Sequence, residues 1–307
     1  MRRLAVVSAA SCLLLVGCGG ASDDASSTDA VPGGGRTLEE LWRAPGDDVA
    51  VVAGTQTHVP GDVRVSFLVV SPDGEVVTLP TARVWVARAL EEQPFLETTA
   101  KLERIGVPGL AEADASHIYV AHVRLSEPGT YWLLAEPVGG EPLQALGNVV
   151  VAETDPVPDV GDSVPVSETP TLDSVGGDAS KITTRTPPDE LLLQHSVAES
   201  VRDGVPFVVT FSTPKFCASR TCGPVVDVVE EVAKRFEGED VRFIHVEVFE
   251  GNDPAKGYNR WMKEWGLETE PWTFVVAADG KLVERYEGVV SVNELEEAVS
   301  HMIESSR

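Results

Sequence analysis

Short apolar stretches alternate with polar residues through the first half of the chain. Val63, Val65, Phe67 and Val69 are separated by Arg64, Ser66 and Leu68, the period-two pattern of a strand with one buried face. Pro72-Asp73-Gly74 reads as a turn before Val76-Val77. Further strands are predicted at 49–52, 82–87, 118–125, 131–136 and 148–151. Residues 37–152 therefore read as an all-β sandwich of about seven strands. Beyond residue 189 the periods change. Val205–Phe211 is continuously apolar, as in a strand buried on both faces. Val225, Val229, Val232 and Phe236 recur at helical spacing, 241–249 is a second strand, and 255–265 reads as a helix. Asp279-Gly280 between 272–278 and 281–287 is a hairpin signal. Ser291 with Glu294 opens a last helix as a capping box. The order strand, helix, strand, helix, hairpin, helix is α/β with a mixed sheet.

Residues 153–188 separate the two patterns. Pro156, Pro158, Pro165, Pro170, Pro187 and Pro188 sit among Asp, Ser, Thr and Gly, the composition of an extended linker without a core of its own. Two separate cores are expected, one on each side of it. At the start, Met1-Arg2-Arg3 precedes an apolar run from Leu4 to Val16. That run is shorter than the ~20 residues a bilayer span requires, and it fits a signal peptide over 1–17. Residues 18–36, rich in Gly, Ser and Asp, read as a flexible tether.

Charge narrows the partners. The 307 residues carry 49 Asp and Glu against 24 Lys and Arg, a formal net charge of -25. Nucleic acid is disfavoured because phosphate binding needs clustered cations, and so is adsorption to anionic headgroups. The four cysteines, Cys12, Cys18, Cys217 and Cys222, lack paired zinc-ligand spacing, and no metal or cofactor is implied. His117 and His122, five apart on a predicted strand, fall on opposite faces. His245 lies in another strand, where a structural role is the commoner one. Glu230, Glu231, Glu296 and Glu297 read as solvated helix faces.

Two segments of the first half carry resemblances. Leu15-Val16-Gly17-Cys18 resembles the lipobox of bacterial lipoproteins. This implies cleavage before Cys18, lipid on its sulfur, and a chain anchored on the extracytoplasmic face of the cell membrane. Such a compartment permits disulfides, and Cys217 and Cys222 are the thiols that remain for one. Pro60 to Val70, Arg83 to Val86 and Pro128 to Trp132 resemble bacterial immunoglobulin-like modules.

The second half turns on Phe211-Ser212-Thr213-Pro214-Lys215-Phe216-Cys217-Ala218-Ser219-Arg220-Thr221-Cys222-Gly223-Pro224. A buried strand ends, a loop presents Cys217, and Cys222 stands where a helix begins. A helix N-terminus stabilises a thiolate, and Lys215 and Arg220 add nearby positive charge. Residues 189–307 resemble the thioredoxin superfamily in element order, cysteine position and hairpin. The resemblance implies that Pro271, in Glu270-Pro271-Trp272-Thr273, is a cis-proline facing the cysteines and shaping a peptide groove. It also implies that 160–172 forms an arm lying on the domain. Three features depart from the family. The cysteines are separated by four residues and not two. Cys222-Gly223-Pro224 is followed by Val225. Thr210 stands where thioredoxins bury an acidic proton acceptor.

The reading is a membrane-anchored, extracytoplasmic thiol–disulfide oxidoreductase, with an immunoglobulin-like sandwich ahead of a thioredoxin-like domain. It would act on exported protein thiols or on a membrane redox partner. Cys217, on the loop, is the expected nucleophile and Cys222 the resolving thiol. In the other register Cys222 of Cys-Gly-Pro attacks and Cys217 resolves. The alternatives are a non-catalytic binding module with a structural disulfide, and a copper- or peroxide-related thiol protein.

Overall fold

The period-two stretches of the first half all form strands, and the strands pair into one ring. The structure is a computed structural model that describes residues 31–110 and 113–305. The expectations for the signal peptide, for the lipid on Cys18 and for most of the tether lie outside the described residues. Thr37 and Glu40 cap the first helix, α1 (Leu38–Trp42), reciprocally. Seven strands follow: β1 (Asp47–Ala53), β2 (Gly61–Val69), β3 (Thr81–Ala87), β4 (Leu96–Arg104), β5 (His117–Leu125), β6 (Gly129–Pro137) and β7 (Leu143–Val151). Their order is β1-β2-β5-β4-β3-β6-β7, and a parallel β1–β7 pairing closes the sheet on itself. The ladder is thus a closed barrel, where a sandwich of two separate sheets was expected. Val63, Val65, Phe67 and Val69 point inward onto Val84, Val86, Tyr119 and Leu133, as the alternation of β2 requires.

Strand β4 has no counterpart in the sequence reading. Its Glu, Thr and Lys residues alternate, and Ala100 alone is fully buried. It is held by pairing to β3 and β5 on either side, a long-range cause that local pattern does not carry.

The second half holds α2 (Val197–Asp203), β8 (Phe207–Phe211), α3 (Cys222–Arg235), β9 (Arg242–Val246), α4 (Arg260–Glu264), β10 (Trp272–Val276), β11 (Leu282–Glu287) and α5 (Val292–Ser305). The sheet runs β11-β10-β8-β9, with β8 and β9 parallel and β10 antiparallel to both its neighbours. The expected mixed sheet forms. Strand β8 is buried on both faces: Phe207, Val209 and Phe211 join Trp265 and Phe274, while Val208 joins Val225, Val229 and Val275. The capping box of α5 is present, with Ser291 and Glu294 bonded to each other's backbone N–H.

The proline-rich segment packs instead of merely spanning. Val157 and Val164 are buried in the same cluster as Phe207 and Trp265. Gly161 N–H donates to Leu282 O (2.8 Å) and Leu282 N–H to Asp162 O (2.9 Å), so the arm extends the β11 edge. The expectation of two separate cores is also corrected. Ile105, Ile118 and Val120 of the barrel share one buried cluster with Tyr286, Val289, Val290 and Leu295. Beside it Arg64 donates to both carboxylate oxygens of Glu294 (2.7 and 3.1 Å) and to Val289 O (3.0 Å). Both side chains of this ion pair are almost wholly buried.

Candidate functional site

Strand β8 delivers the chain to Ser212 at the edge of the core, and α3 starts at Cys222, so the intervening loop is confined at both ends. Thr221, the N-cap residue, makes no side-chain bond to the helix start. Cys217 supplies an acceptor there: the Cys222 backbone N–H donates to Cys217 Sγ at 3.3 Å. The sulfur thus occupies the place where a capping oxygen sits in other helices. Ser219 Oγ lies 3.3 Å from the same sulfur and 2.7 Å from Thr221 Oγ1.

The two thiols differ sharply. Cys217 is half-buried and Cys222 is buried. A hydrogen bond from the Cys222 thiol, aided by Ser219 and by the backbone N–H groups of Cys222 and Thr221, lowers the Cys217 pKa to about 5 against the opposing effect of burial. The same contact pushes Cys222 well above the usual thiol range, and burial adds to it. At neutral pH the pair therefore holds one thiolate, on Cys217, and one thiol, on Cys222. The charge thus falls on the half-buried sulfur and not on the buried one.

Lys215 and Arg220 are placed otherwise than the sequence reading assumed. The Lys215 ammonium lies over the Phe216 ring, and Arg220, in a left-handed conformation, faces Asp114 of the β4–β5 loop at 3.4 Å. The leading contributions to the Cys217 thiolate come from neutral donors, not from these cations. The sequence reading gave no part to Ser219, whose signal is only its position between the two cysteines.

The Glu270–Pro271 peptide is cis, and Pro271 lines a cleft together with Ser219 and Thr221 of the cysteine loop. Glu270 accepts from Tyr258 Oη (2.5 Å), and burial together with the nearby Cys217 charge raises its pKa. Thr210 is fully buried and bonded to Trp272 O (3.2 Å) and Thr273 Oγ1 (3.1 Å). The buried Cys222 instead meets Ser212 and the Thr213 backbone. His245 is also buried, with Nε2 3.0 Å from Ser212 O, which gives it a structural partner. Glu230 is not solvated as expected; it receives Arg185 (2.5 Å) and is mostly buried. Among the described residues no group of three or more His, Cys, Asp and Glu is arranged to hold a metal ion.

Residues 193–303 match the model of the thioredoxin-like domain, and this part of the chain is such a domain. The chain is also similar to a solved structure described as a thiol:disulfide interchange protein, thioredoxin family protein, from Chlorobium tepidum TLS. The identity is 17%, the TM-score 0.30, and the match covers 50% of this chain and 99% of that one. No curated protein matches the chain.

Proposed function

We propose that the chain is a thiol–disulfide oxidoreductase that donates the Cys217–Cys222 disulfide to thiols of exported polypeptides, held at the membrane by lipid on Cys18. The observation that carries this reading is the Cys217 sulfur on the first N–H of α3, with its pKa lowered to about 5. A stabilised thiolate favours the dithiol form of the pair, which makes its disulfide the more oxidising. It also makes Cys217 a good leaving group.

The step balances without a further reactant. In the oxidised pair a substrate thiolate attacks Cys217 Sγ, the more accessible sulfur. The S–S bond breaks, and its electrons go to Cys222, which takes up a proton because its buried site disfavours the anion. A second thiolate of the substrate then attacks the substrate sulfur of the mixed disulfide. Cys217 leaves as the thiolate, and the substrate has given two electrons to the pair and gained a disulfide.

The compartment rests on the sequence: the basic start, the short apolar run and Leu15-Val16-Gly17-Cys18. The finer, immunoglobulin-like reading of the barrel draws support from two features. The order β1-β2-β5-β4 with β3-β6-β7 follows the strand order of that fold. Tyr131 near the start of β6 donates to Glu127 O (2.7 Å), as its tyrosine corner does. Measuring the reduction potential of the pair tests the oxidising role. A value above about -200 mV is expected, and one below about -300 mV would mark an inert structural bond.

A further inference from the structure

The cleft that reaches the cysteine loop is not made by the thioredoxin-like domain alone. It has a volume of about 350 Å³. Leu68, Ile105 and Ile118 come from the barrel side, and Pro271 and Val289 from the other. Ser219 and Thr221 border it on the side of the cysteine loop, and exposed Ser219 Oγ is 3.3 Å from the Cys217 sulfur, which itself lies outside the lining. The barrel wall is fixed. Arg64 binds Glu294 and Val289 O, and the N–H groups of Gln56 and Thr57 donate to Glu287 (2.9 and 2.7 Å). At the seam Gly288 lies so close to the barrel that a Cβ there would come within 2.7 Å of Gly54 O. A space of about 350 Å³ beside the sulfur takes a few side chains of an extended segment.

Charge decides between slender occupants. Asp114, Glu270 and Glu287 line the cleft, no Lys or Arg among the described residues does, and Arg220 is paired to Asp114 from outside the lining. An anionic low-mass thiol or an acidic segment is repelled by this lining, and a neutral or basic one is not. The apolar walls favour an aliphatic side chain beside the reacting sulfur.

We infer that the barrel is the specificity-determining wall of the redox site, and that the cleft takes an extended polypeptide segment with an aliphatic residue, and no acidic one, next to its cysteine. This inference rests on the proposed oxidoreductase role. Its test uses the full chain with its pair oxidised, and two dicysteine peptides of equal length, one with leucine and lysine and one with glycine and aspartate next to the first cysteine. Single-turnover oxidation is followed by acid quench and mass spectrometry. Serine versions of both peptides are titrated by calorimetry. The leucine peptide is expected to react at least about tenfold faster and its serine version to bind correspondingly tighter, the discrimination one buried aliphatic side chain can give.

Ala115→Trp, which fills the cleft from a loop position, and Leu68→Ala, which widens it, should each bring the ratio towards one. Near-ultraviolet circular dichroism checks that each variant is folded. Equal rates and equal binding in the native chain would overturn the inference, and so would a preference unchanged in both folded variants. If neither peptide is oxidised but the leucine–serine peptide still binds selectively and the variants abolish that preference, the cleft reading stands and the oxidoreductase reading fails.

Discussion

The barrel seam and the cysteine loop lie side by side, yet they handle charge in opposite ways. At the seam, full charges are buried and matched: Arg64 meets both oxygens of Glu294 and stacks over Tyr286. On the loop the charge sits on Cys217, and neutral donors meet it while Lys215 and Arg220 face elsewhere. A permanent ion pair fixes geometry because breaking it strands a charge away from water. In the proposed exchange the charge on Cys217 comes and goes, and dipoles then leave no unpaired ion when it is gone.

The largest effect expected from this contrast is on the sulfur itself. Cys217→Ser should abolish thiol–disulfide exchange, whereas Cys222→Ser should accumulate a mixed disulfide at Cys217. Mass spectrometry after incubation with a thiol-reactive disulfide distinguishes them, and adduct retained on Cys222 in the first variant would reverse the roles. Next is the separation of the two thiols. Iodoacetamide labelling of the reduced chain should modify Cys217 first, with a midpoint near about 5. Labelling of Cys222 first, at lower pH, would establish the other register. The same depression ties stability to pH. The folded pKa lies below the ordinary thiol value of ~8.5, so the thiolate's contribution is complete above that value. It is lost as pH falls through about 5, in the reduced chain and not in the oxidised one, as urea unfolding across this range would show.

The seam gives the next effect. Arg64→Ala leaves Glu294 buried without its partner and should destabilise the chain by about 3–5 kcal/mol, read from urea midpoints. Glu294 is held below the usual carboxylate range, with burial opposing and Arg64 the main favourable cause. Its contribution is therefore present above the unfolded carboxyl value and lost as pH falls through the lower folded one. Weaker again is Ser219→Ala, which removes one donor of several. The Cys217 labelling midpoint should rise without reaching the free thiol value; an unchanged midpoint would remove Ser219 from the site. Smallest is Asp114→Asn. Its pair with Arg220 is exposed on both sides, and stability should change by less than about 1 kcal/mol.

Much of the thioredoxin-like half is legible in the sequence, because its signals are local. The apolar run ending at Phe211, the valine spacing of α3, and Ser291 with Glu294 each name an element by themselves. What escapes is long-range. Strand β4 exists through its neighbours, and Val157, ahead of the arm that the resemblance implies over 160–172, is buried in the core of the second half. The shared core did leave a trace: Ile118-Tyr119-Val120-Ala121 is apolar without alternation, and both faces of that half of β5 are buried, while the second half alternates. A change of period inside one strand marks where a second body docks.

The sulfur that stands in for a capping group has one further consequence. A thiolate is a stronger acceptor than a disulfide sulfur, so the first turn of α3 is tied down more firmly when the pair is reduced. The Cys222 amide proton should then exchange with solvent more slowly in the reduced chain than in the oxidised one. The backbone at the start of α3 would thus keep a record of the electrons held beside it, readable at one amide without touching either sulfur.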